Sequence, residues 1–313
     1  MNERSSAAGT PDARHIHSRV FEPLANISPV LEAHQTQIGS GVFDLNTVIG
    51  RVRDVWLIRT KIDPLCVGHL VPDPRVLAFL VPVTWRGVYR CNGQIASATT
   101  FYVTSGPDGY STRSEGRDFF NVVLMRDSFK SSLAALEGVT PDEIQLHNGA
   151  IDLPPTSAMR LRSGLSASLE ELSETVQLDP ARKAVLAERI YSLMLEAYLF
   201  GASQPNGSKP RISSKEKIIR KVEDFYMASP ETSVSLADLC KAAGVGRTVL
   251  HEAFRDLVGL SPLTYLHKRR LMDARTSLLK AQPAGTQVKD VALSLGLTHL
   301  GRFSTEYHSL FGE

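Results

Sequence analysis

The sequence predicts an α+β protein with two domains. At 313 residues, the chain exceeds the roughly 100–150 residues of a typical domain. Short runs rich in Val, Thr, Phe and Tyr lie between residues 41 and 125 and predict strands, whereas helical periodicity dominates after residue 212. The segment 201–212 is rich in Gly, Pro, Ser and Asn and predicts a linker. We therefore divide the chain into a partly ordered lead-in (1–37), a strand-rich domain (38–200), the linker and an all-α domain (213–313).

The composition is typical of a soluble globular protein. Hydrophobic residues make up 42% of the chain and charged residues 22%, which lets both domains bury a core. No apolar run approaches the roughly 18–20 residues that cross a bilayer, and the polar start lacks the apolar part of a signal peptide. We therefore expect a cytoplasmic protein. Three widely spaced cysteines, Cys66, Cys91 and Cys240, predict buried small side chains rather than a disulfide framework or a metal site.

Charge is distributed unevenly along the chain. The net charge is +2 overall, but residues 211–313 hold 15 Lys and Arg against 11 Asp and Glu. That segment therefore carries +4 and the remainder −2. A mildly basic all-α domain behind an acidic front fits a sensor joined to a nucleic-acid-binding domain.

Five runs predict the strands of a small β-barrel or sandwich. Pro and Gly separate these runs, and the pair Asn92-Gly93 predicts a hairpin turn because both residues tolerate positive φ. The predicted strands are Val55–Thr60, Val76–Val81, Gly87–Cys91, Ile95–Thr104 and Phe119–Met125.

Two amphipathic helices are predicted after the strands. Thr156 caps the first helix, and Asp179 before Pro180 begins the second. Apolar residues repeat along both at steps of three and four. Such stripes pack equally well on their own domain or on a second subunit, so a homodimer and an intradomain core both remain open. The stripes are Leu165, Leu169, Leu172 and Val176, and Leu186, Ile190, Leu193, Ala197 and Phe200.

The all-α domain begins with a helix-turn-helix pattern. Ser213 and Glu216 form one capping box, and Ser235 and Asp238 form a second that begins a short helix ending at Gly244. Glycine suits that position because the left-handed C-cap conformation costs it little. The next helix has an apolar inner face and a polar, basic outer face. Its inner face is Leu250, Ala253, Phe254 and Leu257, and its outer face is Arg247, Thr248, His251, Glu252 and Arg255.

The same pattern occurs again around Gly296. A connector helix that begins at Ser261-Pro262 separates the two units. One such unit is equally typical of an ordinary helical hairpin, but two units on a rigid connector predict recognition helices that enter successive major grooves of DNA. The second unit has Leu297, Phe303 and Tyr307 inside, and Thr298, His299, Arg302, Ser304 and Thr305 outside. The connector adds Lys268, Arg269, Arg270 and Arg275, which can contact phosphates or form a solvated face.

These motifs resemble the AraC/XylS family of transcription regulators. The resemblance covers nearly all of residues 213–313 and implies a seven-helix DNA-binding domain. It also implies an amino-terminal cupin-like β-barrel that binds a small effector and dimerises, with promoter DNA and RNA polymerase as partners. The motifs are Ser235–Val245, Leu250–Arg255, Gly259–Arg275, Val288–Leu297, Arg302-Phe303 and Phe311–Glu313.

The resemblance implies that bases are contacted from the outer faces of both recognition helices. Two departures from the family stand out. Glu252 lies where relatives often have a basic residue, and relatives usually continue past the final Phe-Gly-Glu with a closing helix. We therefore expect the apolar face of the second unit to be less covered. The implied base contacts are Thr248, His251 and Glu252 in the first helix and His299, Arg302 and Thr305 in the second; Arg247, Arg255 and Thr298 complete the candidate set.

The strand-rich region gives no indication of an enzyme. Cupin enzymes bind a metal through a His-x-His pair, a Glu and a later His, whereas residues 41–125 contain only His69. The sequence lacks a GxSxG motif, a P-loop and a dinucleotide glycine pattern. We therefore expect no catalytic residue, metal or other cofactor. Five residues can either line an effector pocket or simply pack in the sheet: Arg86, Tyr89, Tyr102, Tyr110 and Arg113.

The leading hypothesis is a dimeric, sequence-specific DNA-binding regulator of transcription that responds to an unidentified small-molecule effector. One alternative is a metal-independent cupin-like ligand-binding protein or enzyme whose helical tail mediates assembly. Another is a DNA-binding protein without an effector, in which the front domain only dimerises. The sequence does not reveal the effector, the operator or the direction of regulation.

Overall fold

The structure is a computed structural model with a sheet-rich amino-terminal part and a helical carboxyl-terminal part. It describes residues 12–19, 21, 29–174, 177–202, 214–230, 232, 234–280 and 287–313. Val176 of the first stripe, Ser213 of the first capping box and the linker residues 203–212 lie outside the described residues. Nothing in the described part of the chain is both long enough and apolar enough, as a helix, to span a bilayer.

The described residues form ten strands in one antiparallel sheet. The main path of paired strands runs β1-β3-β4-β9-β6-β8-β10, while β5 joins β2 to β9 and β7 pairs with β6. The long strands β6 and β9 pair over most of their length and lie at the centre of the sheet. The strands are β1 (Ala13–Ser18), β2 (Val30–Gln37), β3 (Asp44–Val52), β4 (Val55–Asp63), β5 (Cys66–Pro72), β6 (Val76–Cys91), β7 (Gln94–Ile95), β8 (Thr100–Thr104), β9 (Tyr110–Met125) and β10 (Gly149–Asp152).

All five predicted strand runs lie in this sheet, although their bounds differ. Asn92 and Gly93 have φ of 49° and 72° and join β6 to β7, as predicted. The run predicted over Ile95–Thr104 is divided, because β7 ends at Ile95 and β8 begins at Thr100. The predicted lead-in contains β1, which pairs with β3, and β2, which pairs with β5. These two strands are polar, so their sequences lack the apolar run by which the other strands were found.

The two faces of the sheet have different partners. One face packs against the helices α1 (Arg126–Glu137), α2 (Pro155–Ser173) and α3 (Pro180–Ala202). The apolar stripes predicted for α2 and α3 largely face this core: Leu165, Leu169, Leu172, Leu186 and Ile190 are all buried in it. The intradomain alternative therefore accounts for most of both stripes, and Phe200, at 43% exposed, is the main exception.

The predicted helix starts are partly confirmed. Asp179 caps α3, since its Oδ1 accepts a hydrogen bond from the backbone N of Arg182 at 2.8 Å. The prediction that Thr156 caps α2 was wrong. The helix begins one residue earlier, at Pro155, and its cap residue Pro154 has no side-chain hydrogen bond to offer.

Six helices follow in the described residues beyond position 213. The seven-helix domain implied by the family resemblance therefore appears here with six. They are α4 (Ser214–Ala228), α5 (Leu236–Ala243), α6 (Arg247–Leu257), α7 (Pro262–Lys280), α8 (Val288–Ser294) and α9 (Leu300–Phe311).

The helical part packs directly on the second face of the sheet. Leu271 and Met272 of α7 and Phe311 of α9 share one buried apolar cluster with Phe43 and Leu45 of the strand-rich part. A second shared cluster joins Ile38 and Val67 to α4, α6 and α7. The connector α7 between the two helix-turn-helix units therefore packs against the strand-rich domain as well as against the other helices of the helical part.

Candidate nucleic-acid interface

The first helix-turn-helix unit has the predicted local structure. Ser235 Oγ accepts a hydrogen bond from the backbone N of Asp238 at 3.2 Å, and Asp238 Oδ2 accepts one from the backbone N of Ser235 at 2.9 Å. Gly244 ends α5 with a φ of 69°. Both the capping box and the left-handed glycine are therefore confirmed, and together they fix the turn that leads into α6.

Helix α6 buries one face and exposes the other. Leu250, Ala253 and Phe254 are 0% exposed and fix how the helix lies on α4 and α5. Arg247 and Thr248 at its start are exposed. Such an arrangement presents the amino-terminal end of a helix to a partner, as recognition helices do in the major groove.

The remaining candidates of the first unit differ in exposure. The side chain of Arg255 is 74% exposed and its Nε lies 3.9 Å from Asp256 Oδ1. His251 and Glu252 are half-buried. The outer face of α6 therefore offers exposed Arg247, Thr248 and Arg255, with His251 and Glu252 partly withdrawn from solvent.

The second unit consists of α8, a turn at Gly296 and α9. Gly296 has a φ of 72°, and Phe303 anchors the inner face at 6% exposed. Thr298 and His299 are exposed and precede α9, whose cap residue is His299. Thr305 is also exposed, and its Oγ1 donates to Gly301 O at 3.2 Å. The four candidates Thr298, His299, Arg302 and Thr305 thus all lie on the exposed side of this unit.

Arg302 is exposed but already has a carboxylate partner. Its side chain is 72% exposed, and its Nε donates to Glu306 Oε1 at 2.9 Å. Glu306 Oε2 also pairs with His267 Nε2 at 2.6 Å. Burial, the largest single influence, raises the pKa of the Glu306 carboxyl. The hydrogen bonds from Arg302 and His267 together outweigh it, so the pKa of Glu306 is lowered. A base contact by Arg302 would therefore use its Nη groups or displace Glu306 from its Nε.

Three of the four cations considered as phosphate contacts on the connector already contact other groups of the protein. Arg270 Nη2 donates to Thr232 O. Arg275 is 1% exposed; its Nε donates to Glu313 Oε1 at 2.6 Å and its guanidinium lies 5.1 Å from the Phe311 ring. Arg269 Nη1 donates to Gln35 O at 3.4 Å and Thr36 Oγ1 at 3.3 Å. The sequence pattern could not distinguish Arg269 and Arg275 from solvated arginines, because their partners lie more than 200 residues away or at the end of the chain.

The five residues considered for an effector pocket do not form one cluster. Arg86 is exposed and pairs with Asp63 and Glu115. Arg113 points toward the helical part, where its Nε donates to Val258 O at 3.0 Å. Tyr89 and Tyr102 are buried, and Tyr110 lines a cavity beside Asn121. That cavity also contains Arg117 and Gln35, which the sequence analysis did not identify.

Comparisons with known proteins agree with the helix-turn-helix geometry. Residues 239–313 match the model of a helix-turn-helix domain family. The chain is 30% identical over 158 residues to the probable thc operon regulatory protein of Rhodococcus erythropolis, covering 49% of this chain and 46% of that protein. It is 28% identical over 123 residues to the XylDLEGF operon transcriptional activator 2 of Pseudomonas putida, covering 39% of this chain and 78% of the relative. The alignment thus spans less than half of the Rhodococcus protein.

The chain also aligns with a solved structure. The AraC-like transcriptional activator CuxR aligns with a TM-score of 0.43 and 15% identity, covering 90% of this chain and all of the CuxR chain, 100%.

Proposed function

We propose that the chain is a sequence-specific DNA-binding transcription regulator of the AraC/XylS type, because residues 239–313 match a helix-turn-helix domain family and the relatives it aligns with are operon regulators. The observation that carries this proposal is the pair of helix-turn-helix units, each with an exposed polar face, on the two sides of the connector α7. Two recognition helices joined in this way suit successive major-groove segments of one duplex. The proposed base-contacting and phosphate-contacting residues are Arg247, Thr248, His251, Glu252, Arg255, Thr298, His299, Arg302 and Thr305.

The strand-rich domain is proposed to act as a cupin-like barrel that binds a small effector. The shared apolar clusters between the sheet and α7 support this role, since a ligand inside the sheet could alter the connector that positions both units. Promoter DNA in the cytoplasm is the primary partner in this proposal, and RNA polymerase and a second copy of the chain follow from the family. Because the Pseudomonas relative is named an activator, activation is the proposed direction.

The test of DNA recognition is a selection of bound sequences by the full-length protein, followed by binding measurements on the selected site. Changing Arg302 to Ala should cost about 1–3 kcal/mol at one base position and relax the preference there. Changing Arg247 to Ala should weaken DNA binding. If Arg247 contacts a phosphate, the slope of the logarithm of affinity against the logarithm of salt concentration should be smaller by about one in this variant than in wild type.

Arg160→Ala is the matched control. Arg160 is an exposed arginine that pairs with Glu196 on the far side of the strand-rich domain, so its removal should change neither base preference nor salt slope. Equal effects of Arg302→Ala and Arg160→Ala would remove Arg302 from the interface. Full-length protein with no salt-dependent DNA binding, and with turnover of a bound metabolite, would favour the enzyme alternative.

A further inference from the structure

Arg117 places a positive charge inside the strand-rich domain without a carboxylate partner. The residue lies on β9 and is only 5% exposed. Its Nη1 donates to Thr112 Oγ1, and its Nη2 donates to Gln35 Oε1 at 3.0 Å. The guanidinium lies 4.8 Å from the centre of the Phe119 ring. Its Nε is buried and has no hydrogen-bond partner among the described residues. All contacts of Arg117 in the described part of the chain are therefore neutral.

A buried charge of this kind is costly unless a counter-ion compensates it. The same sheet shows what compensation looks like at the neighbouring Asp118. Arg59 donates two hydrogen bonds to Asp118, Nε to Oδ1 at 3.0 Å and Nη2 to Oδ2 at 2.8 Å. Arg117 lines the cavity instead, and no acidic side chain among the described residues lines its wall. An anion that enters the cavity would supply a counter-charge for Arg117.

The cavity wall combines polar residues, Arg117 and Gln35 among them, with apolar ones. Its volume open to the centre of a water-sized sphere is about 40 Å³, several times the roughly 10–15 Å³ that one water needs. Gln35 adds a second free donor, because its buried Nε2 has no partner among the described residues. The apolar part of the wall is formed by Phe21, Ala33, Leu45, Ile62, Leu70 and Phe119.

Gly68 leaves the space that the Gln35 amide occupies. A Cβ at position 68 would lie 2.2 Å from Gln35 Oε1, far inside contact distance. The contact between Arg117 and Gln35 therefore depends on Gly68. Because β5 has no side chain at this position, β2 can place the Gln35 amide against the Arg117 guanidinium.

We propose that Arg117 and Gln35 bind the carboxylate of a small monocarboxylic acid whose short apolar part lies against Leu45, Ile62 and Phe119. Two parallel donors from a guanidinium match the two oxygens of a carboxylate, and the Gln35 amide supplies a further donor. The apolar wall favours a hydrocarbon body over a second charged or hydroxylated group. Binding itself does not depend on the proposed function, but the regulatory consequence does.

The strand that carries Gln35 also contacts the connector helix. Arg269 of α7 donates to the backbone O of Gln35 at 3.4 Å, and the hydroxyls of Thr36 and Tyr265 lie 3.2 Å apart. The backbone N of Gln37 lies 2.8 Å from Met272 Sδ. A carboxylate bound by both Arg117 and Gln35 therefore acts on the strand whose residues Gln35, Thr36 and Gln37 hold α7. This connection gives the occupied cavity a direct route to the spacing of the recognition helices.

The test uses the full-length protein and titration calorimetry with acetate, propionate, butyrate and hexanoate. Butyramide serves as the neutral analogue of butyrate, and inorganic phosphate serves as a competing anion. We expect butyrate to bind and butyramide to bind about tenfold more weakly or worse, because hydrogen bonds to charged groups contribute about 1.5–3 kcal/mol. Equal affinity for butyrate and butyramide, or binding of phosphate with no binding of any monocarboxylate, would overturn the proposal.

Two variants locate the site. Arg117→Gln should weaken butyrate binding about tenfold or more while the unliganded protein stays as stable as the wild type or becomes more stable, since an uncompensated buried charge is removed. Gly68→Ala should also weaken butyrate binding, although it keeps the guanidinium, because it displaces the Gln35 amide. Arg162→Gln is the control: this half-buried arginine donates to Pro82 O at 2.7 Å, on the other side of the sheet.

Unchanged butyrate binding in both Arg117→Gln and Gly68→Ala would refute the site. Loss of binding in Arg162→Gln to the same extent would equally refute it, since the effect would not be local. The same samples separate this proposal from the proposed function. Butyrate binding through Arg117 without DNA binding would support the carboxylate site and refute the proposed function. DNA binding without binding of any monocarboxylate would support the proposed function and refute the carboxylate site.

Discussion

Acid should loosen the contact between the sheet and the helical part through a single histidine. His69 on β5 is 8% exposed and lies among Val67, Ile219 and Val258, where the two parts meet. Its Nδ1 lies 3.1 Å from Ser111 Oγ, and its Nε2 is buried without a partner among the described residues. Burial is the main cause that lowers the pKa of His69 to about 4, and the positive charges of Arg220 and His34 add to it.

The sign and size of the effect follow from this difference in pKa. In the unfolded chain a histidine titrates near pH 6.5, so on acidification the unfolded state takes up a proton before the folded state does. The stabilisation by neutral His69 is therefore complete above about pH 6.5 and is lost as the pH falls toward 4. At about 1.36 kcal/mol for each unit of pKa, the full loss is about 3 kcal/mol, of which about 2 kcal/mol is lost by pH 5.

The assay is urea unfolding of wild type and His69→Gln at pH 7 and pH 5. Other groups also titrate in this interval, so the measured quantity is the change in the free energy of unfolding between the two pH values. That change should be about 2 kcal/mol smaller in His69→Gln than in wild type. His15→Gln, at an exposed histidine of β1, should behave as wild type. If wild type and His69→Gln lose equal stability on acidification, His69 is not held neutral by burial and the reasoning fails.

Three further predictions concern single elements of the fold, each measured as the free energy of unfolding in urea. Gly244→Ala should cost about 1–2 kcal/mol, the price of a left-handed alanine, because the nearest atom to the added Cβ is Lys221 Nζ at 3.8 Å and no clash adds to it. Ser235→Ala should cost about 1 kcal/mol by removing the α5 cap; a loss below a few tenths would contradict the observed capping box. Arg59→Met should cost about 3 kcal/mol or more, since it leaves Asp118, with a side chain 9% exposed, beside only the exposed Lys61 at 3.6 Å. Asp118→Asn should cost clearly less, and the reverse order would refute that account.

The sequence predicted the helical part well because its information is local. A capping box such as Ser235 and Asp238 forms between residues three positions apart, and a glycine such as Gly244 reports the backbone conformation at its own position. Apolar spacing likewise identifies the buried face of α6, where Leu250 and Phe254 are fully buried. The candidate interface was read from the opposite face of the same helices. The exposure of Arg247, Thr248 and Arg302 agrees with that pattern, while their contacts with DNA stay predictions.

The features that the sequence could not provide depend on residues far apart in the chain. Gln35 and Arg117 are separated by 82 positions, and each lies in a polar stretch that is typical of solvent-exposed sequence. Strand β2 was assigned to a lead-in for the same reason. Its buried polar side chains are Gln35, Thr36 and Gln37, and polar residues indicate a core only after the neighbouring strands have been placed.

Those same polar residues explain how two domains can act as one unit. An apolar contact between the sheet and α7 would hold the connector in place. Its strength would not depend on what the cavity contains, because hydrophobic contact is not directional. Hydrogen bonds are directional, and β2 makes them on both sides: Gln35 toward Arg117, and Thr36 toward Tyr265 and Arg269. A change in the partner of Gln35 therefore alters the geometry available to Thr36, one residue away. Polar residues in a buried strand are costly for stability, and under our proposal they make the position of α7 depend on what the cavity holds.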